Sequence, residues 1–136
     1  MPARSAFDYA LVRVVPRVER EEFVNVGVVV FCHAQDLLAA RVELAEARLC
    51  ALHPGVDLDL VRRYLDVIPR LCRGGDDAGP IGKMPIRERW HWLTAPSSTI
   101  IQTSAAHVGL SDAPEAELAR LFTELVACPA KRAAGD

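Results

Sequence analysis

A chain of 136 residues, 51% hydrophobic and 25% charged, has the size and composition of one globular domain with a real core. Its formal net charge of −2 argues against a globally basic nucleic-acid binder. The longest apolar run, Val26 to Cys32, falls far short of the roughly 18 residues of a membrane helix, and Met1 to Asp8 lack the apolar stretch of a signal peptide, so the cytoplasm is the expected location and no membrane contact is expected.

The chain opens with strand signals. Tyr9 to Val15 is apolar on both faces and ends at Pro16, which cannot donate to a ladder. The charged connection Arg17 to Glu22 leads to a second run, Glu22 to Cys32. There simple alternation places Val24, Val26, Val28, Val30 and Cys32 on one face, and Phe23, Asn25, Gly27, Val29 and Phe31 on the other. Two-sided apolar runs predict inner strands. A turn at His33 to Asp36 follows, and Leu38 to Leu44 then alternates cleanly. This pattern predicts an edge strand with one wet face, antiparallel to the second.

From Ala45 the period becomes helical. A short helix to Leu52 is closed by His53-Pro54-Gly55. Asp57 or Asp59 caps a longer one, with Leu60, Val61, Tyr64, Leu65 and Ile68 at helical spacing and Pro69 as its kink or end. Gly74 to Gly82 is predicted as a loop. It is not a phosphate-binding loop, because the first glycine of that motif is missing and Met84 follows Lys83 where a hydroxyl is needed. Ile86 to Ala95 predicts another short helix with Ile86, Trp90 and Leu93 inward, and Ser98 to Thr103 a fourth strand. Asp112-Ala-Pro-Glu115 has capping-box spacing and opens a final helix with the stripe Leu118, Leu121, Phe122, Leu125 and Val126. Strands first and helices later predict an α+β domain: an antiparallel or mixed sheet of about four strands, with helices packed on one face. The domain is expected over 7–128, with a flexible start at 1–6 and a flexible tail at 129–136.

The side chains with chemical potential are few. Cys32, Cys50, Cys72 and Cys128 are widely spaced with no C-x-x-C pair, so free thiols are expected and neither a metal site nor a cofactor. Asn25 and Gly27 are poor strand formers. They mark either a β-bulge with close backbone approach or a ligand or partner contact. Arg13, in an apolar strand, requires a structural ion pair, with Glu22 as the candidate, or else binds an anion.

Arg87-Glu-Arg-Trp-His-Trp92 interleaves basic and aromatic residues as single-stranded nucleic-acid grips do. It lies in a stretch with a local excess of positive charge, from Arg62 to Arg89. The simpler reading is a helix with Trp90 in the core, Arg87 and Arg89 in solvent, and Trp92 half exposed as a protein contact. Ser98 and His107 are the nearest approach to a nucleophile and base, but no carboxylate is placed to orient the pair.

Two segments resemble a known family. One is Tyr9-Ala-x-Val-Arg-Val-Val-Pro16 joined to Glu22-Phe-Val-Asn-Val-Gly-Val28. The other is Arg87-Glu-Arg-Trp-x-Trp-Leu-x-Ala-Pro-x-Ser-Thr99, continuing to Gln102-Thr-Ser-x-x-His107. The pattern resembles the bacterial domain of unknown function numbered 3037 over roughly Phe7 to Val126. The resemblance implies no chemistry of its own. It does imply a partner, since such proteins are associated with kinases similar to bacterial toxin Ser/Thr kinases. The combined expectation is a non-catalytic interaction or regulatory module that binds such a kinase-like partner or another copy of itself. Nucleic-acid binding through 62–92 is the first alternative, and a small enzyme using Arg13, Ser98 and His107 the second.

Overall fold

A computed structural model describes residues 4–97 and 99–127. Three strands form its centre: β1 (Ser5–Val14), β2 (Val24–Cys32) and β3 (Leu37–Val42). β1 begins within the stretch expected to be a flexible start, because Ser5 and Ala6 pair with a strand near the other end of the chain. The turn between β2 and β3 closes through the Asp36 N–H donating to the His33 carbonyl at 3.1 Å, with Asp36 in the left-handed region. Two short strands, β4 (Ile101–Thr103) and β5 (His107–Ser111), both pair with β1 on the side away from β2. The sheet is five-stranded and antiparallel throughout, with β1 and β2 inside and β3 at one edge. β5 goes beyond the four strands expected; Val-Gly-Leu-Ser is too short a signal, and its glycine is needed where the Phe7 ring lies against the strand.

The faces of β2 depart from simple alternation. Val12 pairs with Gly27 but Arg13 pairs with Asn25, so Val26 is an extra residue and the strand carries a bulge. Parity flips there. Val24 and Val26 join Val29 and Phe31 in one core, while Val28, Val30 and Cys32 belong to the other. Asn25 consequently sits on the second face, not the first.

α1 (Glu46–Leu52), α2 (Leu58–Arg73) and α4 (Ile86–Thr94) bury the first core with Ala10, Val12, Val14 and Phe31. Asp57 caps α2, accepting from the Leu60 N–H at 3.1 Å. α2 runs on through Pro69, since Leu71 and Cys72 beyond it are buried and hold the last turn in place. The expected loop after it contains helical turns, a 3-10 turn at Asp76–Ala78 and the short α3 (Gly79–Gly82). Trp90 of α4 is buried and stacks on Phe31, ring centroids 5.7 Å apart.

The final helix, α5 (Pro114–Leu125), covers the opposite face of the sheet, so helices lie on both faces and not one. Leu121, Phe122 and the following Val126 pack there on Phe7, Val28, Val30 and Cys32. The face of β3 expected to be wet is partly covered by this helix, and the Arg41 guanidinium lies 4.3 Å over the Phe122 ring. Asp112 does not cap α5. Its N-terminus starts at Pro114, after a turn in which Ser111 Oγ accepts from the Ala113 N–H at 3.0 Å.

Candidate protein-interaction site

Strand β4 brings the C-terminal end of α2 and the end of α4 to one sheet edge. Its Ile101 and Thr103 face the helices, as their partners Val14 and Val12 do. Between these elements lies a groove of about 490 Å³ lined by Tyr64, Val67, Leu71, Trp92, Leu93 and Ile101, among others. The helical period explains the lining on α2. Tyr64, Val67, Ile68 and Leu71 form one stripe wider than α4 and β4 cover, so Tyr64 and Val67 remain exposed. Trp92 is 50% exposed at the rim. It is displaced by two positions from buried Trp90, which on a helix turns it about 200° away from the core.

The other sequence-predicted residues are not gathered there. Arg89 is committed to structure: its Nη1 donates to the Leu71 and Cys72 carbonyls at 2.8 Å each, and its Nε to the Met84 carbonyl at 3.0 Å. It closes the C-terminus of α2, where carbonyls have no helical partners and a cation is favoured. Arg87 is exposed and five residues from Trp92, so the two do not share a helix face.

Arg13 does not pair with Glu22, whose carboxylate is taken by Arg20 at 2.5 Å. Its guanidinium lies 3.9 Å over the Phe23 ring, and its buried Nε has no hydrogen-bond partner among the described residues. Asn25, its register partner, donates to the Leu125 carbonyl at 3.4 Å, while its Oδ1 has no hydrogen-bond partner among the described residues. Gly27 is held by packing, since a Cβ there would sit 2.6 Å from Val42 Cγ1 and 2.9 Å from the Arg41 carbonyl oxygen.

His107 pairs with Tyr9, its ring 5.2 Å from the tyrosine ring. Tyr9 and Arg13 are four residues apart on one strand, about 13 Å. His107 and Arg13 are therefore not brought together, and Ser98 lies outside the described residues. The neighbouring hydroxyls hold loops. Ser104 Oγ accepts from the Leu11 N–H at 2.9 Å, and Thr99 Oγ1 donates to the Ile101 carbonyl at 2.8 Å. Among the described residues, no group of three or more His, Cys, Asp or Glu side chains could hold a metal, and no helix is long and apolar enough to cross a membrane.

Sequence reasoning singled out Trp92 but missed Tyr64 and Val67 as its companions. Tyr64 reads as core on the helical period and Val67 is not singled out; the short span of β4 leaves both open.

The fold and groove define a small α+β protein with a lipophilic recess at a sheet edge. The chain belongs to the DUF3037 family of proteins of unknown function, whose pattern matches residues 9–126. No curated protein and no solved structure matches it.

Proposed function

We propose that this protein is a non-catalytic interaction module whose partner protein seats on the groove between α2, α4 and β4. The observation that carries this reading is Trp92: a half-exposed tryptophan on the rim of an apolar groove, with exposed Tyr64 and Val67 beside it. Tryptophan and tyrosine are the residues that most often dominate binding energy at protein interfaces. A kinase-like partner, to which this chain would be an accessory subunit, is the class that the family resemblance brings forward.

The nucleic-acid reading draws less support. Arg89 spends Nη1 on the end of α2 and Nε on the Met84 carbonyl, and Arg87 does not share the helix face of Trp92. The two readings separate by salt, since phosphate contacts weaken steeply as counterions compete. The test is affinity capture from the native host with the wild-type chain and Trp92→Ala as parallel baits, followed by titration of the purified captured protein. A partner retained at high salt and bound at least about thirtyfold more weakly by Trp92→Ala, the loss of a hot spot, is the expected result. Equal binding by both baits, or capture of nucleic acid alone, would refute it.

A further inference from the structure

We infer that β5 pairs with β5 of a second copy, joining two sheets across a two-fold axis at Gly109. This surface is separate from the Trp92 groove, and the argument rests on hydrogen-bond direction. The Val15 N–H donates to the Ile100 carbonyl at 2.7 Å and the Ser104 N–H to the Leu11 carbonyl at 2.8 Å. Odd-numbered residues of β1 thus direct their backbone groups toward the β4 and β5 side. Continued along the strand, this parity has Phe7 bond Gly109 and Tyr9 bond His107.

Val108 and Leu110 must then direct both N–H and C=O outward, with no strand beyond them among the described residues. The same two residues expose their side chains, 72% and 65% respectively. Their side chains lie on one face of the sheet, beside those of Asp8 and Ala6. Natural edges are usually guarded by charge, proline or a covering element. The stretch 105–111, Ala-Ala-His-Val-Gly-Leu-Ser, contains no Lys, Arg, Asp, Glu or Pro.

A second copy fits this edge in one antiparallel register. With Gly109 opposite Gly109, Val108 of each copy faces Leu110 of the other. Those pairs exchange both backbone bonds, so the four outward groups that Val108 and Leu110 together present in each copy are satisfied at once. Apolar side chains then meet on one face, and no like charges are opposed along the strand. In this register the outward groups of Val108 and Leu110 pair only with one another.

Sedimentation velocity of the full chain over a concentration series tests this, with Val108→Lys, Leu110→Glu and the double variant. Both positions are exposed, so the variants should retain the fold, checked by their urea midpoints. The expected result is a concentration-dependent dimer. Each single variant raises its dissociation constant at least about tenfold, and the double variant restores it, because the introduced ammonium of one copy then faces the introduced carboxylate of the other. A monomer at all concentrations would overturn the inference. So would a dimer indifferent to Val108→Lys, or singles that the double variant fails to rescue.

Discussion

Arg89 shows how one side chain can be drawn from surface to structure. Its Nη1 serves two terminal carbonyls of α2 while its Nε holds the Met84 carbonyl, a two-nitrogen geometry that a lysine cannot reproduce. Hydrogen bonds from a charged donor contribute more than neutral ones. Arg89→Met should therefore lower stability by about 1–3 kcal/mol in urea unfolding, with Arg89→Lys recovering only part. The neighbouring thiol adds a pH dependence. Burial pushes Cys72 up from 9.0 to about 12, against the opposing pull of Arg89 and Arg73. Between those values the unfolded chain has released a proton that the folded chain keeps, so the contribution is whole below pH 9 and is lost as pH rises. Across this window the wild type should lose up to about 1.4 kcal/mol per pH unit more than Cys72→Ala, measured by urea unfolding at pH 8.5 and 10.5.

The second strand carries the main lesson at the scale of elements. Its bulge makes Gly27 a packing requirement. Gly27→Ala should cost about 1–3 kcal/mol, because the new methyl meets the β3 backbone and not merely a flexible side-chain end. A denaturant midpoint close to wild type would contradict this. The residue types Asn25 and Gly27 signalled the bulge, yet not that it transfers Val26 from one core to the other. Alternation is a local rule, and one extra residue inverts it for everything on one side. The stripe of α5 was likewise legible at Leu118, Leu121, Phe122 and Val126, whereas Leu125, at the last position of the helix, is left exposed. Which face of the sheet receives that stripe is a non-local choice, and two-sided burial of β2 leaves both faces in need of cover. Asp57 as a cap and Asp36 as a turn residue were legible because their bonds lie within three residues. The Arg89 cap spans 18 residues and had no local signature.

At the scale of the whole molecule, the sheet has two incomplete margins on the side away from β3. β4 is too short to roof the apolar stripe of α2, and this leaves the groove rimmed by Trp92. β5 is paired on one side only among the described residues. The sequence named Trp92 and the half-exposed aromatic it would be, but the groove itself is made by three elements that are distant along the chain. The most direct measurement is photo-crosslinking in the native host, with benzoylphenylalanine placed in turn at Tyr64, at Trp92 and, as a control, at Glu19 in the exposed turn after β1. The account predicts one shared protein adduct from positions 64 and 92 and none from position 19. Adducts from position 19 alone, or the same yield at all three positions, would contradict it.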